Sequence, residues 1–501
     1  MFESTAPFLF FDYFRVPYRI TKPRSEAPSG DSAAWAHLVR VLDEGGAPRL
    51  FWPPRAGSAS PAVAAAMRRG EFRLGTIPIF GHVLDDDHAA GLLPATGEWR
   101  PAEAITDGAG ARAASVWRDD EGNVALPFDP GELVENLWSE RYLNPSSASK
   151  RLRRLSTRLY YEVKPFLPRR LQVSLRQGFA KLQEASFPRW PIETAMSELH
   201  EWLFAEVVRI AGEPVPWIAP WPSGREWALV LTHDVETAQG CDRIAELRQI
   251  EREHGLVSSW NFVPLRYSVS DHTLEGLAAE GCEIGVHGLR HDGKDLGSLR
   301  TLRARIPAMR TYADRWGAVG FRAPATQRRW DWMPLLGFEY DSSYSDTDIY
   351  EPMPGGCCSY LPFMNGSTVE LPITLPQDHT LFAILQRPDE RLWIEKAEYL
   401  RGEGGMVLVL THPDYTTDRR VVDGYRSLLA RFKEDPTMWP ALPREVSRWW
   451  RKRSASWIEW SEDDWVIRGP AQPEAAIRYA TPDDVIGTAS ATASHSDREP
   501  Q

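Results

Sequence analysis

Cysteine is scarce in this chain, and its scarcity excludes a fold held together by disulfide bonds. Only four cysteines occur among 501 residues, whereas small disulfide-stapled domains are dense in them. Cys357 and Cys358 are adjacent, and neighbouring cysteines rarely bond to each other because the resulting ring is strained. The chain must therefore rely on buried apolar side chains, and its length is enough for roughly two to four domains.

Long hydrophobic runs and an excess of positive charge are also missing. No uninterrupted apolar stretch approaches about 18 residues, as a membrane-spanning helix requires, and residues 1–20 lack the basic start and apolar core of a secretory signal. We therefore expect a cytoplasmic protein. The net charge of −11 argues against nucleic acid as a partner. The Lys- and Arg-rich stretch 150–176 either contacts a membrane peripherally or presents a solvated basic face.

Changes of pattern along the chain predict five segments. They are a β-rich N-terminal accessory domain (1–125), a helical basic connecting segment (126–215), a region of alternating strands and helices (216–450), a short β-hairpin extension (451–480) and a disordered tail (481–501). Within the first segment, Phe72–Phe80 is predicted to be one strand. The oligomeric state cannot be inferred from any of these patterns.

The alternating region determines the predicted fold class, which is α/β. Seven candidate strands cover 228–236, 257–263, 282–288, 318–323, 338–342, 368–374 and 406–412. Helical stretches between several of them predict parallel strands with right-handed crossovers. Seven strands over this length fit an irregular barrel of the (β/α) type better than an open sheet.

The clearest of these strands is Ala228–Glu236. Four apolar residues run into polar groups that can bind a metal or move a proton, and βα folds place their active sites at this end of a strand. Residues i and i+2 of a strand point to the same side, so Asp234 and Glu236 can face one site while Val235 faces the packing. The stretch therefore predicts a pair of carboxylates in a site.

Histidines end two further strands. His287 and His291 have the i, i+4 spacing that puts both rings on one face of a helical turn, where they can share a metal. His412 ends the last strand of the series. Three strands that end in carboxylates, a histidine pair and a histidine predict one convergent site.

These residues, taken in order, resemble a known family. The order is Thr232-His-Asp234 with Glu236, His287-x-x-x-His291, Arg322-x-Pro324, Asp341, and Leu410-Thr-His412. It is similar to the polysaccharide deacetylase homology domain of carbohydrate esterase family 4, over about residues 216–450. The resemblance implies a distorted (β/α)7 barrel, a divalent metal that is often zinc, and hydrolysis of an N-acetyl group from a sugar, polysaccharide or glycolipid.

The resemblance also implies roles for the first motif, in two alternative registers. In one, Asp234 is the general base and Glu236 binds the metal with His287 and His291. In the other, Asp234 is the metal ligand and His233 is an unusual base. Strand alternation favours the first.

The remaining roles concern proton donation and its support. By the same resemblance, His412 donates a proton to the leaving amine. Arg322 orients or charge-balances Asp234, and Asp341 orients His412 or Arg322; Arg322 and Asp341 could equally form a stabilising ion pair. Apart from the resemblance, Asp378 and its neighbour His379 could reach the substrate or the metal from a loop, and a purely structural loop is the equal alternative.

The chain departs from the family pattern at two further positions, which keeps other functions open. Gly288 stands where the family usually has Ser or Thr, and Ala325 replaces the aromatic residue that normally follows the proline and helps to form the sugar groove. Two alternatives are a C–N hydrolase acting on a non-sugar amide and a carbohydrate-binding or scaffold protein without turnover.

Overall fold

The structure is a computed structural model that describes residues 1–21, 35–40, 48–143, 177, 187–351 and 353–481. The chain divides into two compact units, of which the first comprises Met1–Tyr142, Thr194–Ala219 and Arg453–Gln501, and the second comprises Leu143–Glu193 and Pro220–Lys452. The basic stretch 150–176 lies outside the described residues, as does the predicted tail from 482 onward. None of the described helices combines the length and apolar character that crossing a bilayer would take.

The regular elements are numbered in chain order. The strands are β1 Phe2–Ser4, β2 Tyr18–Ile20, β3 Ala36–Arg40, β4 Arg49–Trp52, β5 Met67–Leu74, β6 Ile77–Leu84, β7 Arg100–Asp107, β8 Arg112–Arg118, β9 Val124–Ala125, β10 Val215–Ile218, β11 Trp227–Val235, β12 Ser259–Phe262, β13 Glu283–His287, β14 Gly320–Arg322, β15 Tyr340–Asp341, β16 Phe363–Asn365, β17 Thr368–Glu370, β18 Met406–Thr411, β19 Met438–Pro440, β20 Trp457–Ser461, β21 Asp464–Arg468 and β22 Ile477–Ala480. The helices are α1 Leu9–Phe14, α2 Pro61–Ala66, α3 Asp86–Leu92, α4 Pro130–Trp138, α5 Ala195–Ala211, α6 Ala238–Asp242, α7 Ile244–Glu253, α8 Asp271–Ala279, α9 Leu299–Trp316, α10 Arg391–Gly402, α11 Arg419–Phe432 and α12 Pro443–Ser454.

The first unit contains a nine-stranded sheet in the order β2-β1-β3-β4-β9-β8-β7-β5-β6, and two-stranded sheets β10-β22 and β20-β21. The stretch Phe72–Phe80 is not one strand, as the sequence predicted, but parts of two antiparallel strands. Leu74 lies opposite Ile77 across the turn Gly75-Thr76, and Gly75 adopts a φ of +58° that glycine tolerates best.

One buried cation joins the sequence segments of this first unit. Arg453 donates to the backbone carbonyls of Ala219, Tyr13 and Ile218 at 3.0, 2.8 and 2.7 Å. These acceptors come from the N-terminal segment and from the segment that ends at Ala219, while Arg453 begins the third. Hydrogen bonds to three carbonyls offset part of the cost of burying the guanidinium.

The second unit has the predicted mixed α/β architecture. Its main sheet runs β16-β17-β15-β14-β13-β12-β11-β18, with β19 beside β11. From β17 to β18 each neighbouring pair is parallel, and each of the seven predicted strands is present. Just beyond β17, the Leu375 amide donates to the Leu408 carbonyl at 3.2 Å, and the Leu408 amide donates to the Thr374 hydroxyl at 2.8 Å.

Strand β11 is buried at every residue. It lies between β12 and β18, with Thr232 opposite Ser259 on one side and Leu410 on the other. Its residues Trp227, Leu229, Leu231 and Val235 belong to a core that includes side chains of α7, α10 and α11. A strand covered on both faces is usually apolar throughout, so the polar run that begins at Thr232 marks this end of the sheet as the place for a site.

Candidate metal and proton-transfer site

Three potential metal ligands meet at the C-terminal edge of the parallel sheet. Glu236 directly follows β11, His287 ends β13, and His291 lies in the loop after it. Their ligand atoms all lie within 4.8 Å of one another, and Nε2 of His291 is 2.8 Å from Oε1 of Glu236. No other group of three or more His, Cys, Asp or Glu side chains in the described ranges meets this criterion.

The histidine pair does not lie on a helical turn, as its spacing suggested. Residues 288–291 form a loop, and Gly288 and His291 both adopt a positive φ, of +63° and +54°. The loop brings the two ring centroids to 5.2 Å. The expectation that the rings lie together is therefore met, but by a turn of the loop.

His287 has the features expected of a metal ligand. Its Nδ1 is 3.1 Å from the carbonyl oxygen of Arg322, while its buried Nε2 has no hydrogen-bond partner among the described residues. A ligating histidine commonly binds metal through one nitrogen and donates a hydrogen bond through the other. Burial lowers the pKa of His287 to about 4, against the charge of Asp234, so the ring is neutral, as a ligand must be.

The donor set also fits a divalent metal. Two imidazoles and one carboxylate form the protein ligands of many catalytic zinc sites, which keep a further position open. Glu236 and His291 are partly exposed, at 19% and 16% of their side chains, so the cluster is reachable from solvent. Glu236, His287 and His291 could therefore hold a catalytic metal.

Asp234 is buried beside this cluster and is held by hydrogen bonds. Its Oδ1 accepts from Nδ2 of Asn261 at 2.8 Å and from Nη1 of Arg322 at 3.2 Å, and its Oδ2 lies 3.6 Å from Nδ1 of His287. Burial would raise the pKa of Asp234. His287, which is protonated only at the acid pH where this carboxyl titrates, and the charge of Arg322 outweigh burial and keep the pKa below its usual value. The side chain is thus an ionised carboxylate that can accept a proton.

Asn261 is a part of the site that the sequence reasoning missed. It lies on β12 directly opposite Asp234, and a Cβ at Gly285 on the next strand would overlap its side chain. The signal was present, because an asparagine within the buried strand Ser259–Phe262 needs a polar partner.

Arg322 makes the contact with Asp234 that was expected of it. Its Nη1 also donates to the Thr232 hydroxyl at 2.9 Å, and its other nitrogens donate to the carbonyl and hydroxyl oxygens of Ser342, each at 2.8 Å. These bonds link β11, β14 and the segment after β15. The bonds to Thr232 and Ser342 hold the guanidinium of Arg322 in place, and the guanidinium in turn holds the carboxylate of Asp234.

His412 has a carboxylate partner, and that partner is Asp378. Nδ1 of His412 lies 2.6 Å from Oδ1 of Asp378, and the His412 backbone amide donates to Oδ2 at 2.7 Å. Burial lowers the pKa of His412, but the charge and hydrogen bond of Asp378 outweigh it, and the pKa is raised to about 10 with further contributions from Glu236 and Asp234. The ring is therefore an imidazolium that can donate a proton.

Asp341 ends β15, and its hydrogen-bond partners differ from those that the sequence predicted. Its carboxylate accepts from the hydroxyl of Ser343 at 2.6 Å and from the amide of Ser343 at 3.0 Å, and it also pairs with Glu370. Burial raises the pKa of both acids, which suits a carboxyl pair that shares a proton. Asp341 does not hydrogen-bond to His412 or to the guanidinium of Arg322, and the carboxylate that contacts His412 is Asp378.

His233 points to the opposite face of β11. It is fully buried, with Nε2 2.6 Å from Oε1 of Glu251, Nδ1 2.7 Å from the Thr411 hydroxyl and its ring stacked on Trp260 at 4.0 Å. A base must be able to reach the proton that it takes. The geometry thus favours the register in which Asp234, and not His233, faces the cluster.

The departure at Gly288 has a steric reason. A Cβ at this position would lie 2.5 Å from Cδ of Pro324 and 2.6 Å from Oδ2 of Asp295. The positive φ disfavours other residues as well. Serine or threonine therefore does not fit at Gly288, because the ring of Pro324 and the carboxylate of Asp295 occupy the space that a side chain would need.

Comparison with known proteins gives likenesses of fold only. No protein-family model and no curated protein matches the chain. A proposed polysaccharide deacetylase from Mycobacterium smegmatis is 20% identical, with a TM-score of 0.39 over 49% of this chain and 96% of its own. An allantoinase is 15% identical, with a TM-score of 0.37 over 46% and 92%. A peptidoglycan deacetylase from Bacillus subtilis is 12% identical, with a TM-score of 0.32 over 46% and 94%.

Polysaccharide deacetylases are thus among the solved structures that about half of this chain resembles. At such identities and TM-scores the likeness carries no argument about chemistry. The activity has to be inferred from the side chains of the site.

Proposed function

We propose that this protein is a metal-dependent hydrolase that removes an N-acetyl group from a sugar, a polysaccharide or a glycolipid. One observation carries the proposal: Glu236, His287 and His291 converge, with the buried Nε2 of His287 left without a partner. Asp234 is an ionised carboxylate and His412 a protonated imidazole, and the two lie close enough for each to shift the pKa of the other. A ligand set beside a base and an acid is what amide hydrolysis needs.

A divalent metal held by the three ligands would polarise the amide carbonyl and make an attacking water more acidic. Asp234 takes the proton from that water as its oxygen adds to the carbonyl carbon. Asn261 and Arg322 keep the Asp234 carboxylate ionised and aimed. Because both partners are fixed in the sheet, the base does not have to reorganise during the reaction.

His412 completes the reaction on the side of the leaving group. It gives its proton to the amide nitrogen as the C–N bond breaks, so the nitrogen departs as an amine and the acyl group as acetate. Asp378 holds the ring through Nδ1, which leaves Nε2 to donate. The carboxylate also stabilises the protonated state from which donation starts.

Zinc is the metal that we propose, since two imidazoles and a carboxylate suit it. We further propose that the seven parallel strands close into an irregular (β/α)7 barrel. The bonds of Leu375 and Thr374 to Leu408 span the two ends of the strand order, which supports the closure. Such closure would make the strand ends that carry the site converge.

One observation favours a second substrate class. Ala325, with a φ of +53°, presents no ring on which a sugar could lie. A C–N hydrolase acting on a non-sugar amide would use the same base, acid and ligands. Fold does not decide between these substrates.

The test is acetate release by the purified chain from N-acetylhexosamine oligomers, with non-sugar N-acetyl amides in parallel. We expect release that stops with a chelator, returns with zinc, and is absent from Asp234→Asn. Release from the non-sugar amides alone would favour the second class. Zinc binding without release from any substrate would contradict catalysis and indicate a binding or scaffold protein.

A further inference from the structure

The segment that carries Glu236 is held by side chains that the proposed reaction does not use. Oδ2 of Asp414 accepts the backbone amide of Glu236 at 3.0 Å, and Oδ1 accepts the hydroxyl of Thr237. From another direction, the hydroxyl of Tyr267 donates to the carbonyl of Val235. Three consecutive residues, 235–237, are thereby fixed just where β11 ends.

A glycine leaves room for the Asp414 carboxylate. A Cβ at Gly240, in α6, would lie 2.8 Å from Cγ of Asp414, closer than real Cβ atoms approach other heavy atoms. Gly240 is not among the residues with a positive φ, so its backbone conformation does not require glycine. The space taken by Asp414 is therefore the physical reason for a glycine here.

Asp414 also lies close in sequence to the residue expected to act as the acid. It belongs to the turn Pro413–Tyr415, which follows His412 at the end of β18. Strands β18 and β11 are neighbours, so one carboxylate joins the segment that leaves β11 to the segment that leaves β18. Glu236 lies just beyond the last residue of β11, so a side chain that holds its main chain can decide where the residue lies.

We propose that Asp414 is a positioning residue that holds Glu236 in the metal site, with Gly240 providing the space for it. The inference rests on the proposed function, because it takes Glu236 to be a metal ligand. Groups that orient a metal ligand typically change metal affinity roughly 10- to 100-fold when they are replaced. Asp414 contacts the main chain of the ligand residue, so its loss lets the whole residue move.

The experiment measures zinc affinity by competition with a chromophoric chelator on the purified full chain. Asp414→Asn keeps the shape of the side chain but weakens its hold on the Glu236 amide, and we expect zinc to bind roughly 10- to 100-fold more weakly. Gly240→Ala is expected to give a similar loss without changing either Asp414 or Glu236. Thermal melting and circular dichroism show that each variant is folded.

Two controls make the measurement specific. Asp418→Asn removes a nearby carboxylate that bonds to Arg420 and not to Glu236, and its zinc affinity is expected to equal that of the wild type. In an Asp414→Ala background, Gly240→Ala is expected to cause no further loss, because the carboxylate with which it collides is gone.

The outcomes separate this inference from the function on which it rests. If Asp414→Asn and Gly240→Ala bind zinc like the wild type while His291→Ala does not bind it, Asp414 has no positioning role and the metal site stands. If the wild-type chain binds no zinc at all, both proposals are overturned.

Discussion

Asp378 bonds to His412 twice, with one oxygen on the ring nitrogen Nδ1 and the other on the backbone amide of the same residue. The ring and the main chain of His412 are thus held by one carboxylate that is itself fully buried. Such a pair fixes both the direction of the ring and its charge. Among the residues around His412, Asp378 should therefore have the largest effect on its protonation state.

Replacing Asp378 by asparagine should lower the pKa of His412 from about 10 toward its ordinary value of about 6.5. The imidazolium would then lose its proton at lower pH, so the alkaline limb of the activity profile should shift to lower pH. At neutral pH the rate should fall, by up to roughly 10²–10⁴-fold if acid catalysis is lost. An NMR titration of the metal-free protein measures the pKa directly. Asp389→Asn, which alters an exposed carboxylate, is the control, and an unchanged His412 pKa would contradict the assignment.

Asp234 and Glu236 should respond differently to removal of their charge. Asp234→Asn is expected to keep bound metal and lose acetate release, because the base is changed and the ligands are not. Glu236→Gln, His287→Ala and His291→Ala should each lose metal. Elemental analysis after dialysis, read beside the activity, distinguishes the two. The opposite result, with metal lost from Asp234→Asn and retained by Glu236→Gln, would make Asp234 the ligand.

Glu283 should make stability depend on pH. It is buried, accepts from Tyr340 and from the Arg444 amide at 2.8 and 2.9 Å, and burial raises its pKa to about 7. The folded state thus binds this proton more tightly than the unfolded state. The contribution of this proton to the free energy of unfolding is on the order of 3 kcal/mol. It is fully present below about pH 4.5 and is lost as pH rises through about 7.

Urea unfolding across that range measures the effect of Glu283. In Glu283→Gln the Tyr340 hydroxyl can turn to accept from the amide, so the variant should fold. The free energy of unfolding of this variant should fall less than that of the wild type between pH 4.5 and 8. Parallel curves for the two proteins would show that Glu283 does not titrate as described.

Gly288→Ala should destabilise the fold more than Gly293→Ala. Both glycines have a positive φ, of +63° and +71°, so both substitutions carry the same backbone strain. Only Gly288 lacks space, since the nearest atom to a Cβ at Gly293 is 3.6 Å away. We expect an additional loss of about 1–3 kcal/mol for Gly288→Ala from overpacking. Urea unfolding of both variants tests this, and equal losses would rule out the collision with Pro324.

The parallel strands could be predicted because each is a short apolar run that ends in polar residues. That pattern located β11, β13 and β18, and strand alternation correctly put Asp234 and His233 on opposite faces. The positions of Glu236 and His287 at the carboxyl ends of β11 and β13, on either side of β12, follow from the same reasoning. Local sequence was sufficient here because parallel strands bring their carboxyl ends to one edge.

Asp378 could not be predicted as the partner of His412, because no local pattern links residues that are 34 positions apart. Asp378 caps a short helix, His379–Ile384, instead of lying in the expected loop, whereas the family resemblance indicated Asp341 for the orienting role. The turn at Gly75-Thr76 was missed for a different reason. Apolar residues flank it so closely that the two strands read as one run.

The contacts of His233 have a consequence for how β11 is assembled. A slip of one residue would bring its imidazole to the metal side and press Asp234 against Trp260 and Glu251. The slipped strand would lose Asn261 and Arg322 as partners of the acid, and it would lose Thr411 and Glu251 as partners of the imidazole. The partners on each face of β11 thus suit only the residue that lies there, so the buried His233 helps to specify the register of β11 against its neighbours.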